Sequence, residues 1–135
     1  MKAPTRKHKP IVSVDDYHKI DGIYANNTDA KALSLGVAQY DSDEISLKVW
    51  RHVNGSWSRM SEELPIHRNL DLSILFVKTL IEGYNQQSFL ITPEQKLSLH
   101  PNNGSIQNIM DHYEANKAIL EPRMKELKRL LEEWL

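Results

Sequence analysis

Aromatic and basic side chains are concentrated around an Asn-Gly dipeptide in one stretch of the chain, WRHVNGSWSRMSEELPIHR, from Trp50 to Arg68. Tryptophan rings stack on flat ligands, and lysine, arginine and histidine side chains donate hydrogen bonds to anionic groups. Together these residue types suit a ligand that combines an aromatic ring with negative charge, as a nucleotide does. We therefore expect a non-catalytic domain that senses or sequesters a nucleotide-like ligand through these side chains: Lys48, Trp50, His52, Trp57, Arg59 and Arg68.

The Asn-Gly dipeptide predicts how these side chains are positioned, because it strongly favours a two-residue type I′ turn between two β-strands. With this turn the numbers of cross-strand partners sum to 109, and alternate residues face opposite sides of the hairpin. Arg51 and Glu62 are polar exceptions on an otherwise apolar side. That apolar side is predicted to face the core and carries Ile45, Leu47, Val49, Val53, Met60 and Leu64. The opposite side holds the expected ligand-binding residues of the hairpin.

Two alternative functions stay open for the same segment. In the first, the protein is a small hydrolase in which His67 or His52 works with Glu63 as an acid–base pair. In the second, it is a protein-interaction or homo-oligomeric domain that contacts a partner, or a second copy in a homodimer. A purely structural interpretation is also open, because an arginine stacked on a tryptophan stabilises a hairpin by about 0.5–1 kcal/mol. The carboxyl-terminal helices can also cover the tryptophan-bearing side.

The chain carries no motif that names a reaction. It has no Gly-rich phosphate loop, no zinc-protease motif and no nucleophile elbow. Asp15, Asp16, His18 and Asp21 offer oxygen and nitrogen ligands, but their spacing matches no metal motif and aspartates are common in turns. We therefore expect no metal and no cofactor, and a binding protein rather than an enzyme.

The composition indicates an ordinary globular domain. With 135 residues, of which 40% are hydrophobic and 26% charged, the chain can build a core without disulfides or metals. Its net charge of −1 gives no reason to expect nucleic acid or an anionic membrane as a partner. The chain has no cysteine and no apolar signal core after its basic start, so a cytoplasmic protein is expected. The most apolar run, Leu70 to Ile81, is too short and too interrupted to span a membrane.

The pattern of apolar residues predicts the strands. Ile11 to Val14 forms a short first strand. In Ala32–Tyr40, apolar residues alternate with small ones, which indicates a strand that lies close to a neighbour at Gly36. The same segment also fits one face of a helix. The hairpin strands Ile45–Val53 and Ser56–Leu64 follow.

Helical spacing of apolar residues appears in the second half of the chain. A helix from Asn69 to Glu82 is apolar on several sides and is therefore predicted to be the buried centre of the domain. Ser105 can cap a further helix that runs to about Leu120. Glu121-Pro122 then either restarts or kinks the helix, since proline is tolerated in a first turn but not in the middle.

These elements define the expected fold class. It is α+β, with an antiparallel meander of three or four strands, a buried central helix and one or two carboxyl-terminal helices. Residues 1–10 are expected to form a basic flexible tail and residues 11–135 a single domain. Residues 85–104 form a loop or a small insertion.

Several blocks of the sequence resemble a family of short bacterial proteins of unknown function. They are DDYHKIDGIYANNTDAKALSLGVAQYDSDEISLKVWRH, WSRMSEELPIHR and LDLSILFV. The resemblance covers roughly residues 8–80 and the carboxyl-terminal tail, whereas residues 85–104 look peculiar to this chain. It implies a single domain of bacterial or phage origin, and no activity, ligand or catalytic residue.

Overall fold

A computed structural model of the protein describes residues 8–58, 61–82, 90–95 and 97–135. The chain divides into two compact units, one up to Leu72 and one from Ser73, which we describe separately. The described residues form an antiparallel sheet and three α-helices. The predicted α+β class is therefore confirmed.

The sheet lies in the first unit and is built around β3 (Ile45–Val53). On one edge β3 pairs antiparallel with β2 (Ala30–Val37), which pairs antiparallel with β1 (Lys9–Asp15). On its other edge β3 pairs antiparallel with both β4 (Ser56–Trp57) and β5 (Glu63–Pro65). This order is the predicted meander, and the strand interpretation of the second segment is confirmed.

The predicted hairpin turn is also confirmed. Asn54 has φ 50° and Gly55 has φ 81°, and a type I′ turn requires positive φ at both positions. His52 pairs with Trp57, as the predicted register requires. The turn therefore positions these two side chains beside each other on one side of the hairpin.

The prediction of one continuous return strand is wrong, because β4 and β5 are separate. In β5 the register has moved by two residues, and Lys48 pairs with Glu63. Between the two strands the Ser61 hydroxyl accepts a hydrogen bond from the Arg51 amide at 3.1 Å and donates one to the Ser58 carbonyl at 3.1 Å. A shift of two residues keeps each side chain on its predicted side of the sheet.

Residues 8–10, predicted to belong to a flexible tail, lie in the folded part of the chain, and the rest of that predicted tail lies outside the described residues. β1 begins at Lys9, and the His8 side chain is fully buried. A Cβ added to Gly36 would lie only 2.1 Å from the Lys9 carbonyl oxygen, so the β1 backbone passes directly over this glycine. The predicted close approach at Gly36 is therefore confirmed, and it brings the start of β1 onto the sheet.

The burial of the two sides of the sheet is the reverse of the prediction. Trp50 and Lys48, on the side assigned to ligand binding, are only 2% and 8% exposed, whereas Ile45 on the assigned core side is 42% exposed. The physical reason lies in β2, which places small residues next to these larger ones. Ala32 pairs with Trp50 and Ser34 pairs with Lys48, so both long side chains have room to lie against the sheet.

The first helix, α1 (Ile66–Glu82), begins directly after β5 and crosses the boundary between the two units. None of its residues, all of which the structure describes, is fully buried. The expectation that this helix forms the buried centre of the domain is therefore wrong. Its apolar residues cover several sides, but each stays in part accessible.

The second unit contains α2 (Ile106–Ala115) and α3 (Lys117–Trp134). Ser105 caps α2 as predicted, in a reciprocal capping box with Asn108. The break predicted at Glu121-Pro122 lies earlier, at Asn116, whose amide and side chain both bond to the His112 carbonyl. α3 then continues through Pro122.

The described part of the predicted loop, residues 90–95 and 97–104, consists of bends, turns and irregular backbone. Among the helices that the structure describes, none has the length and apolar character needed to cross a membrane.

Candidate functional site

The structure brings together four of the six predicted ligand-binding residues. Lys48 and Trp50 are buried on β3, and His52 and Trp57 are half-buried at the hairpin end. We call this set the aromatic row. Arg68 is exposed in the first turn of α1, outside the row. Arg59 lies outside the described residues, so its predicted role stays a prediction.

The rings of the aromatic row contact one another edge to face. Trp50 and Trp57 have centroids 5.9 Å apart at 75°, and His52 and Trp57 have centroids 5.1 Å apart at 84°. The Lys48 ammonium lies 4.1 Å from the centroid of the Trp50 ring, as in a cation–π contact. Because Trp50 is buried in this way, a flat ligand cannot stack on it without displacing these neighbours.

A chain of hydrogen bonds begins at Trp50 of the aromatic row and links three strands to His8, the residue before β1. Trp50 Nε1 donates to Ser34 Oγ at 2.8 Å, and Ser34 Oγ lies 2.8 Å from His8 Nε2. On the other side of the ring, His8 Nδ1 lies 2.8 Å from Ser46 Oγ. Ser46 Oγ donates to Glu63 Oε1 at 3.1 Å. We call these five residues the buried polar chain.

For a neutral His8 ring, the two ends of the buried polar chain determine the direction of every hydrogen bond in it. An indole nitrogen can only donate and a carboxylate can only accept. The Ser46 hydroxyl donates its hydrogen to Glu63, so Ser46 Oγ accepts a hydrogen bond from His8 Nδ1–H. His8 Nε2 then accepts a hydrogen bond from the Ser34 hydroxyl. The network thus assigns the proton of the neutral imidazole to Nδ1.

The electrostatic surroundings agree with a neutral ring. Burial lowers the pKa of His8 from its usual 6.5; Glu63 opposes this effect and the Lys48 charge adds to it. Serine, histidine and a carboxylate are also the groups of many hydrolases. Here, however, His8 and Ser46 are fully buried, so a substrate cannot reach them. The buried polar chain is better explained as a polar core that fixes His8, the residue before β1, to the sheet.

The acid–base pairs of the hydrolase alternative are not the pairs seen here. Glu63 lies next to His8, with 3.7 Å between Oε1 and Nδ1, and also accepts from the Gln39 amide. His52 packs against Trp57 instead. His67 is exposed on α1.

A cavity of about 520 Å³ lies elsewhere in the first unit, between the β1–β2 connection and β3. We call it the tyrosine cavity. The side chains important for its chemistry are aromatic or charged: Tyr17, Asp21, Tyr24, Asp29, Arg51 and Glu62. Its volume is in the range of pockets that hold small molecules.

Arg51 lines the tyrosine cavity and is hydrogen-bonded to two carboxylates. Its Nε lies 3.0 and 3.2 Å from the two Glu62 carboxylate oxygens, its Nη2 donates to Glu62 at 2.8 Å, and its Nη1 donates to Asp29. These hydrogen bonds raise the pKa of Arg51 and lower that of Glu62. Two-pronged pairing of this kind holds a guanidinium in one orientation.

The aromatic wall of the tyrosine cavity comes from the connection between β1 and β2. Two short 3₁₀ turns, Tyr17–Lys19 and Gly22–Tyr24, carry its tyrosines. Asp16 and Asn26 have left-handed φ values of 56° and 65°, which these residue types adopt more readily than most. The Asn26 amide donates to the His18 carbonyl at 2.6 Å, which folds the connection back on itself.

Sequence reasoning missed the tyrosine cavity. The signal that was available is the pair of charged residues, Arg51 and Glu62, on an otherwise apolar side of the hairpin. Their partner Asp29 follows a turn-rich segment 22 residues before Arg51, so nothing local connects the two.

Comparison with known proteins finds one match, which is to a family model. No curated protein and no solved structure matches this chain. The model of a family of unknown function, DUF6530, matches residues 1–135. The expected membership of such a family is thus confirmed, while the bacterial or phage origin stays a prediction. The chain belongs to the family of unknown function DUF6530.

Proposed function

We propose that this protein is a non-catalytic domain that binds a small molecule in the tyrosine cavity. The observation that carries the proposal is the pairing of two tyrosines with an arginine whose orientation is fixed by two carboxylates. Such preorganised polar groups beside aromatic walls are typical of ligand pockets. The binding role predicted from the sequence is retained, and its location moves from the aromatic row to this cavity.

The charges around the cavity favour a small organic cation. Asp21, Asp29 and Glu62 contribute three carboxylates, and Arg51 balances only one of them. An ammonium group is attracted to the face of a tyrosine by about 0.5–1 kcal/mol at an exposed site. Tyr24 is 59% exposed, so its ring is available for such a contact. A primary amine with an apolar portion combines these features.

A nucleotide-like ligand at the hairpin end is the second proposal. Trp57 and His52 are only half-buried, and their rings lie at the edge of the aromatic row. A base could pack there while its phosphates face basic side chains. The excess of carboxylates makes the tyrosine cavity itself a poor place for phosphate.

A thermal-shift panel separates the two ligand classes. It compares aliphatic and aromatic primary amines with mononucleotides and cyclic nucleotides. We expect an amine to raise the melting temperature, because a ligand at 100 times its dissociation constant adds about 2.7 kcal/mol to the stability. Tyr24→Ala and Asp21→Asn should each abolish the shift.

The matched control is Tyr40→Ala, which removes a tyrosine of similar exposure, 48%, that does not line the cavity. This variant should keep the full shift. A nucleotide shift that survives Tyr24→Ala and is lost in Trp57→Ala would contradict the cavity and favour the hairpin end. If neither amines nor nucleotides change the melting temperature, both proposals are wrong.

A further inference from the structure

The second unit has an apolar groove of about 600 Å³ along α3. Its apolar lining includes Val77 on α1, Tyr113 on α2, and Met124, Leu127 and Leu131 on α3. Leu127 and Leu131 are 47% and 42% exposed. Exposed leucines that follow one another at helical spacing are typical of a surface on which another helix packs.

We propose that α3 of a second copy of this chain occupies the groove in antiparallel orientation. The two core positions of a heptad repeat are occupied in α3 by residues 120, 124, 127, 131 and 134. Lys117 occupies the core position that precedes residue 120. α3 is one helix from Lys117 to Trp134, so these residues share one stripe. An antiparallel pair places Met124 opposite Leu127 and Leu120 opposite Leu131, each twice.

The charged residues that flank the stripe favour the antiparallel arrangement. In the antiparallel register just described, Glu121 faces Lys128 of the second copy, and the two-fold axis makes this pair twice. Moving the register by one heptad in either direction would place like charges together, Lys128 against Lys128 in one direction and Glu121 against Glu121 in the other. A parallel pair would bring Arg123 against Lys128 twice. Opposite charges at flanking positions set orientation and register in paired helices.

The end of the stripe gives a further contact. Trp134 is 87% exposed, and the antiparallel register places Lys117 of the second copy beside it. A lysine over an indole face is a favourable cation–π contact. Within one chain, Lys128 lies 3.9 Å from Glu132 and Lys125 lies 2.8 Å from Glu121. These are solvent-exposed helix pairs that contribute little, so they can rearrange when the helices meet.

Sedimentation and light scattering on the full chain test the proposal, with circular dichroism to verify folding. We expect a concentration-dependent dimer. Lys128→Glu places like charges together twice and should raise the dimer dissociation constant about tenfold. The double variant Glu121→Lys/Lys128→Glu restores opposite charges and should restore the dimer. Arg129→Glu, on the side of α3 away from the stripe, is the matched control and should leave the dimer intact.

Cross-linking tests the register directly, because the chain has no cysteine of its own. A mixture of Glu121→Cys and Lys128→Cys chains should form a disulfide-linked heterodimer on oxidation. A mixture of Glu121→Cys and Arg129→Cys chains should form little. A wild-type monomer at high micromolar concentration would overturn the proposal. A dimer that Lys128→Glu strengthens would overturn the antiparallel orientation.

Discussion

At the residue scale, His8 determines how the polar side of the sheet can be buried. A buried polar group is tolerated when its hydrogen bonds are satisfied, and costly when they are not. The His8 ring uses both nitrogens, one toward Ser34 and one toward Ser46. Neither serine can be replaced by an apolar residue without leaving a buried nitrogen unsatisfied. The stability of the first unit should therefore depend on the protonation of this ring.

We predict that the free energy of unfolding falls as the pH drops below about 6.5. The folded-state pKa of His8 is lowered, chiefly by burial, so the unfolded chain binds a proton while the folded chain does not. Stability then decreases with falling pH from 6.5 down to the folded-state pKa, by at most about 1.4 kcal/mol per pH unit for one group. Above 6.5 the ring is neutral in both states and contributes no slope.

Urea denaturation between about pH 8 and about pH 5 measures this effect. His8→Gln keeps one donor and one acceptor but does not titrate, so its slope should be smaller than that of the wild type. His67→Gln serves as the comparison, because it removes an exposed histidine of α1 that lies outside the buried polar chain. Equal slopes for the wild type and His8→Gln would show that His8 does not carry the effect.

At the element scale, the contact between β1 and β2 determines where His8, the residue before β1, lies. β1 crosses Gly36 with its backbone, and this places His8 over Ser34 and Ser46. A side chain at position 36 would collide with main-chain atoms, which cannot rotate away. The close approach is thus a condition for forming the buried polar chain.

We predict that Gly36→Ala destabilises the protein by about 3 kcal/mol, the upper range for forcing a group into filled space. Gly55→Ala is the matched control. It has a left-handed φ of 81° but nothing within 4 Å of an added Cβ, so only backbone strain of about 1 kcal/mol is expected. Chemical denaturation measures both values. Hydrogen exchange should show faster exchange of the β1 amides in Gly36→Ala only. If both substitutions destabilised the protein by a similar amount, and the β1 amides of Gly36→Ala exchanged as slowly as in the wild type, the predicted collision would be contradicted.

At the scale of the whole molecule, ligand binding and self-association use different units. The tyrosine cavity is formed by residues before Leu72, and the α3 groove by residues after Ser73. The two activities share no lining residue. A change in one is therefore expected to leave the other intact.

We predict that Lys128→Glu keeps the amine affinity of the wild type while its dimer weakens. Conversely, Tyr24→Ala should lose the amine and keep the dimer dissociation constant. Calorimetric titration and sedimentation on the same two proteins measure both properties. If either variant changed both properties by a similar factor, the two sites would be coupled and this separation would be wrong.

The sequence by itself determined the local structure of the hairpin turn and of the start of α2. The period-two pattern and the Asn-Gly turn predicted β3, the hairpin and the pairing of His52 with Trp57, because these depend on neighbours a few residues apart. The capping serine before α2 was predicted for the same reason. The close approach at Gly36 was predicted from the glycine itself, although the backbone that passes over it is that of Lys9. The family of unknown function was also recognised from short blocks of sequence.

Only the tertiary structure decided which side of the sheet is buried. Alternation defines two sides, and the preference of apolar groups for the interior predicted the wrong one. The polar side is buried because His8 satisfies two serines that are 26 and 38 residues away in the chain, and because small residues on β2 make room for Trp50. The tyrosine cavity likewise depends on Asp29 meeting Arg51. Such contacts exist only after the chain has folded, so no local pattern contains them.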